Sequence, residues 1–228
     1  MQTSPKPVVE TPLDTKRARF NMIEQQVRTW EVLDLRVLDV LGEVPREDFV
    51  ADQYRAMAFA DLELPIGAGQ HMLKPVIEGR MLQSLNVDAN DEILEIGTGS
   101  GFTAACLSRL GRMVTTVERI EALAISARER LKAHSYRNVD VIHADALDGF
   151  VPHTRFDVIA VGAAVAQVPE RFLEWLAPGG RLFVVRGTSP AQEALLLTSV
   201  KGSVMEESLF ETDLPYLAGA APQPKFIL

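Results

Sequence analysis

The chain predicts a doubly wound α/β fold: a mostly parallel sheet, preceded by a helical cap and closed by an antiparallel hairpin. Three observations predict it. From Asp91 onward short apolar runs alternate with amphipathic stretches, as DEILEIG, FTAACLSRLG, MVTTVER, EALAISARERLKAHS, VDVIHAD, FDVIAVG, PERFLEWLAPGG and RLFVVRG. Strand and helix in strict alternation imply parallel strands joined by right-handed crossovers. Before Asp91 the apolar residues recur three or four apart, which is the period of helices. After Gln192, Val200-Lys201-Gly202-Ser203 sits between two apolar stretches and marks a hairpin at the sheet edge. With 228 residues, 47% of them hydrophobic, the chain suffices for one large α/β domain, or one with a small appendage. The expected division is a flexible segment over 1–15, a helical cap with a substrate loop over 16–90, and a ligand-binding domain over 91–228.

Taken in order, the N-terminal MQTSPKPVVETPLD is rich in proline and polar residues and lacks the apolar core of a signal peptide, so it reads as a frayed end. In TKRARFNMIEQQVRTW, the spacing of Phe20, Ile23, Val27 and Trp30 predicts one helix with these four on its packing face. A second helical run, LDLRVLDVL, stops at Gly42. VPREDFV and YRAMAFADLELPIG lead into GAGQHMLKP at 67–75, which matches no regular element and reads as a loop. KPVIEGRMLQSLNV is then a helix, with Ile77, Met81 and Leu85 four apart and Pro75 near its start, where a missing N–H costs nothing.

Composition narrows the ligand. The formal net charge is -8 with no dense Lys/Arg run, which weighs against a nucleic-acid surface working through phosphate neutralisation. A single cysteine, Cys106, excludes an intramolecular disulfide framework, and His71, His134, His143 and His153 show no metal-ligand spacing, so no metal is expected. A reducing cytoplasm fits this cysteine usage. No apolar run is long enough for a membrane span, and no membrane partner is expected. Oligomeric state is not written in the sequence.

The strongest chemical signal is ILEIGTGSGF at 93–102. A strand ending in an acidic residue and running into Gly97, Gly99 and Gly101 lets a ligand approach backbone that side chains would otherwise block. Glu118 ends the second strand about 20 residues on, where an acid accepts hydrogen bonds from ribose hydroxyls. Asp145 ends the third strand at the same edge. A dinucleotide fingerprint wants its third glycine where Phe102 stands, so the spacing argues against NAD. Glu95, directly before the loop, would repel a phosphate and suits a ligand with a positive amino group, as in S-adenosyl-L-methionine.

NMIEQQVR, LPIGAGQ before a helix, EILEIGTGSGFTAACL, TVERIEALA, FDVIAVGAA and LAPGGRLFVVRG form an ordered set. The set resembles protein-L-isoaspartate O-methyltransferase, a class I S-adenosylmethionine-dependent methyltransferase family, over about residues 20–187. The resemblance implies a Rossmann-like methyltransferase sheet, S-adenosyl-L-methionine as cofactor, and a peptide or protein partner whose isoaspartyl carboxylate is methylated in repair. It also implies that Glu95, Gly97, Thr98, Gly99, Ser100 and Gly101 meet the methionine and adenosine parts of the cofactor. Glu118, with Arg119 beside it, would meet the ribose, and Asp145 with Ala146 the adenine. The tail LFETDLPYLAGAAPQPKFIL differs from that of the family.

The 67–75 segment differs too. The family pattern there is GQTIS, one residue, then Pro; here the residues are Gly69, Gln70, His71, Met72, Leu73, Lys74 and Pro75, so both hydroxyls are replaced. Gly69, Gln70, His71, Leu73 and Lys74 are the candidate substrate contacts. Esterification of a carboxylate needs no base, whereas a phenol, hydroxyl or amine would need one, and His71 is then the candidate catalytic residue. After the fourth strand, Gly162, Ala163 and Ala164 lack the Asn/Asp-Pro-Pro-aromatic motif of nucleobase amino-methyltransferases, and their small size leaves room for a peptide-like substrate. Two alternatives stay open: the same fold acting on a small molecule or another protein site, or a non-catalytic cofactor-binding module.

Overall fold

The computed structural model describes residues 14–222; the segment expected to be frayed lies, over 1–13, outside the described residues. Asp14 caps the first helix, α1 (Thr15–Met22), its carboxylate accepting from the Arg17 N–H. The helix then widens into a π-turn over Ile23–Val27 and tightens into a 3₁₀ turn over Arg28–Trp30. This changes the expected packing face. The i→i+5 turn brings Met22 and Val27, five apart, into the core, while Phe20 and Trp30 stay 63% and 42% exposed. Helix α2 (Leu35–Glu43) starts at the Asp34 cap and runs past Gly42, one residue beyond the expected stop.

The segment read as a loop is a β-hairpin. Strands β1 (Leu64–Gly67) and β2 (Gln70–Met72) pair antiparallel, with Leu64 opposite Met72 and Pro65 opposite His71. Gly67, Ala68 and Gly69 make the turn, all three with positive φ, which glycine adopts freely and alanine rarely. Three residues of turn leave too little alternation for the strands to register as such in sequence. Helix α3 (Pro75–Leu85) follows with proline in its first turn, as expected.

Strands β3 (Glu92–Ile96), β4 (Met113–Glu118), β5 (Val139–His143), β6 (Phe156–Val165) and β7 (Leu176–Thr188) are mutually parallel, and β8 (Ala191–Val200) and β9 (Ser203–Thr212) add an antiparallel hairpin. Lys201 and Gly202 both have positive φ, as a two-residue type I′ turn demands. The spatial order is β5-β4-β3-β6-β7-β8-β9. Helices α4 (Phe102–Leu110) and α5 (Glu121–Ala133) make the crossovers; α6 (Glu170–Glu174) is shorter than the expected helix. It stops at Glu174, and Leu176 already pairs with Phe156; Gly179 has positive φ, and a Cβ at Gly180 would lie 2.9 Å from the carbonyls of Ala177 and Phe156, so Pro178-Gly179-Gly180 joins β7 as a bulge.

Alternate residues of the central strands enter two cores. Leu94, Ile96, Val117, Ile159 and Val184 pack on one face, while Ile93, Val114, Val158, Ala160 and Phe183 pack on the other. The second face is continuous with Met22, Val27, Val37 and Leu41 of the N-terminal helices. The cap is therefore built on the same core as the sheet.

Candidate functional site

Strand order reverses between β3 and β6, and in an open α/β sheet the crevice forms at the carboxyl ends beside such a switch point. A cleft of about 620 Å³ opens there. Its floor is Gly97 and Gly99 after β3, its walls are Glu118 and Arg119 after β4, Asp145 and Ala146 after β5, and Gly162 and Ala163 in β6. The hairpin roofs it with Ile66, Gln70 and His71. A smaller compartment of about 280 Å³ continues inward, sharing Gly97, Gly99 and Gly162 and adding Leu73, Thr98 and Ser100.

Each wall residue is held by its backbone context. The Glu118 carboxylate, mostly buried, accepts the Gly99 N–H at Oε2 and the Ile120 N–H at Oε1, both at 2.9 Å. Each oxygen keeps a second lone pair that these bonds do not use, and Glu118 lines the cleft. Asp145 accepts from the Leu147 N–H at 2.9 Å and pairs with Arg119 Nε at 3.1 Å, while the Arg119 carbonyl meets His143 Nε2 at 3.1 Å. Gly97, Gly99 and Gly101 all have positive φ; a Cβ at Gly97 would project into open space bounded only by Leu217. Gly162 in turn lies close beneath, where a Cβ would meet the Gly97 carbonyl at 3.2 Å.

Of the expected contacts, Gly97, Gly99, Glu118, Arg119, Asp145, Ala146, Gln70 and His71 lie on the outer cleft, and Thr98, Ser100 and Leu73 on the inner compartment. Gly69 sits in the hairpin turn, Lys74 precedes α3, and Gly101 precedes α4; none of the three lines either space. Glu95 is placed differently from the sequence reading. Its carboxyl is buried under the loop and accepts from Thr116 Oγ1 at 2.5 Å, and Thr116 Oγ1 in turn meets Thr98 Oγ1 at 2.6 Å. Burial pushes Glu95 up to about 8, against the pull of the Thr116 bond, and the nearby Glu118 and Glu78 charges raise it further. Cys106 is buried in α4 and its thiol is held well above its ordinary range, so it packs rather than reacts.

Sequence reasoning missed several residues. Arg46, fully buried, donates to the Ala58 carbonyl at 2.8 Å, the Leu73 carbonyl at 2.5 Å and the Glu78 carboxylate, and lies 4.8 Å over the Phe102 ring. Burial pushes Glu78 up to about 7 even though the Arg46 guanidinium pulls the other way. Residues 214–220 run beside the end of β6, with the Leu217 N–H donating to the Ala164 carbonyl at 2.8 Å, and place Leu217 and Ala218 on the cleft. No spacing rule links either group to the glycine loop. Among the described residues, no cluster of three or more His, Cys, Asp or Glu is arranged to hold a metal, and no helix is long and apolar enough to cross a membrane.

The family model described as Protein-L-isoaspartate(D-aspartate) O-methyltransferase matches residues 17–213. The chain belongs to this family. It is 38% identical over 191 residues to the protein-L-isoaspartate O-methyltransferase of Koribacter versatilis, covering 84% of this chain and 86% of that one. With the enzyme of the same name from Aeropyrum pernix it shares 41% identity over 181 residues, covering 78% and 70%. Two solved structures share the fold. One protein-L-isoaspartate O-methyltransferase superposes with a TM-score of 0.77 at 24% identity, over 89% of this chain and 66% of that one. A Plasmodium falciparum protein assigned to the same activity, solved with S-adenosyl-L-homocysteine, superposes with a TM-score of 0.76 at 20% identity, over 89% and 97%.

Proposed function

We propose that this chain is an S-adenosyl-L-methionine-dependent methyltransferase that esterifies the carboxylate of L-isoaspartyl residues in damaged proteins. One observation carries the reading: the glycine loop, Glu118 and Asp145 converge on a single cleft whose roof is the 64–72 hairpin. The cleft suits the cofactor. Gly97 faces open space, with Ile66 of the hairpin 3.0 Å from where a Cβ at Gly99 would lie, and each Glu118 oxygen keeps a lone pair beyond its backbone bond that could accept a ribose hydroxyl. Asp145 and Ala146 edge a wall where Ile120 and Leu123 offer apolar faces to a planar base. Glu95 acts one layer down, holding Thr98 through Thr116 so that the loop keeps its shape. The solved relative's complex with S-adenosyl-L-homocysteine supports the same cofactor class.

The bound cofactor supplies an activated methyl group, so the acceptor need only be unprotonated, aligned and partly desolvated. A carboxylate, with a pKa of about 4, is already ionised at neutral pH, and no residue has to remove a proton. Gln70, His71 and Leu73 border the space a peptide would enter, with Gly69 and Lys74 shaping the turn and exit of the hairpin. Gly162 and Ala163 leave that space unobstructed. A single buried cysteine is compatible with a reducing cytoplasm, where we place the activity. A second reading, methylation of a hydroxyl or amine with His71 as base, is favoured by one observation: His71 borders both compartments.

Incubation of the purified protein with radiolabelled S-adenosyl-L-methionine and an isoaspartyl peptide, beside its aspartyl twin, tests the proposal. The expected outcome is base-labile label on the isoaspartyl peptide alone. No label, with calorimetry showing that the cofactor still binds, removes it.

A further inference from the structure

The inner compartment holds the polar groups that would face an attacking oxygen: His71, Glu78, Thr98, Ser100 and Thr103. Most are committed. Thr98 Oγ1 is engaged with Thr116 Oγ1 at 2.6 Å, and Ser100 Oγ is turned back to accept the Phe102 N–H at 3.3 Å. Glu78 is paired with Arg46, which cancels its charge and removes the repulsion that a bare carboxylate would exert on an anionic substrate. His71 is exposed at the mouth. Thr103 is half-buried, and the bond its Oγ1 donates, to Glu78 Oε1, is stretched to 3.5 Å. A hydrogen bond of that length is weak and readily exchanged.

We propose that Thr103 is a substrate-positioning residue: its hydroxyl leaves the long bond to Glu78 and donates to the carboxylate that is to be methylated. The role rests on the carboxylate methylation proposed above. Thr103 stands in the first turn of α4, directly after the glycine loop, so its side chain is fixed relative to the floor shared by both compartments. Across the same compartment Leu73 contributes only carbon, which leaves Thr103 to supply the buried hydroxyl contact. No proton is transferred in this role; the hydroxyl aligns one carboxylate oxygen so that the other attacks.

Thr103→Val keeps the shape and removes the donor, and Thr103→Ser keeps the donor. A hydrogen bond to a charged group is worth about 1.5–3 kcal/mol, so Thr103→Val should raise KM for an isoaspartyl peptide roughly 10- to 100-fold, with kcat less affected. Thr103→Ser should stay near the unchanged protein, and Leu73→Ser placed on Thr103→Val should recover part of the loss by restoring a hydroxyl to the compartment. The affinity for S-adenosyl-L-homocysteine, read by calorimetry, should be the same in all of them. An unchanged KM in Thr103→Val overturns the role, and so does a parallel loss of S-adenosyl-L-homocysteine affinity, which would assign the hydroxyl to the cofactor. If the unchanged protein itself leaves the isoaspartyl peptide unlabelled, the carboxylate reading fails and this role fails with it.

Discussion

Each oxygen of the Glu118 carboxylate accepts one backbone N–H, and those two bonds hold the side chain still at the cleft wall while leaving each oxygen a second lone pair. Such a group binds two hydroxyls without reorganising. Glu118→Ala should weaken S-adenosyl-L-methionine binding on the order of 100-fold, because two charge-assisted hydrogen bonds are lost. Titration calorimetry reads this directly; unchanged affinity would move the ribose elsewhere. Glu95 and Glu118 look alike in sequence, each an acid closing an apolar run before a glycine or a turn. Only their placement separates them. Glu118 is the last residue of β4 and reaches the cleft, whereas Glu95 has one strand residue after it and turns beneath the loop to Thr116. Thr116 itself carried no signal, since a threonine within a strand is ordinary composition.

Among the elements, the hairpin over 64–72 depends on a contact that local patterning does not encode. Arg46, from the 3₁₀ turn over Arg46–Asp48, bonds the Leu73 carbonyl at the hairpin exit, the Ala58 carbonyl before its entry and Glu78 in α3. The roof is thereby tied to the cap. Arg46→Met should destabilise the fold by about 3–5 kcal/mol near pH 8, the usual penalty for leaving one charge of a buried pair alone. Near pH 5 the loss should shrink, because burial raises Glu78 to about 7 even with Arg46 beside it and further once that pull is removed, so the carboxyl is then protonated and no longer an orphaned charge. Denaturant unfolding at the two pH values measures it, and an equal loss at both would mean that Glu78 does not titrate in this range. The expected helix over the first segment shows a related limit. Apolar residues three or four apart imply an α-helix, but Met22 and Val27 are five apart, and only the π-turn puts them on one face.

For the whole molecule, sheet and cap share one core, and the acids buried where they meet make stability depend on pH. Glu95, raised from 4.5 to about 8, keeps its proton in the folded state over a range where the unfolded chain releases it. Its contribution is therefore full below about pH 4.5 and is lost as pH rises toward 8. Glu95→Gln removes the titration while keeping an acceptor for Thr116. Its melting temperature should be lowest relative to that of the unchanged protein near pH 5 and should gain on it toward pH 8, by about 2–4 °C for each kcal/mol recovered. A difference that stays constant over this range would mean that Glu95 is ionised throughout.

Sequence alone determined the alternation of strands and helices from Asp91, the glycine loop with Glu118 and Asp145 beyond it, the closing hairpin turn at Lys201-Gly202, and the family. These are local signals. Each depends on periodicity, on a backbone conformation only glycine adopts freely, or on an acid at a strand end, and all of that is readable within a few residues. The tertiary structure decided that 67–75 is half of a hairpin, that Glu95 lies under the loop, that Leu217 and Ala218 line the cleft, that Glu78 and Thr103 line its inner compartment, and that Arg46 pairs with Glu78. Arg46 and Glu78 are 32 residues apart in sequence, and Leu217 and Gly97 are separated by most of the sheet. Contacts of that range arise from the crossing of chain segments and the burial of charge between them, and no window of sequence carries either.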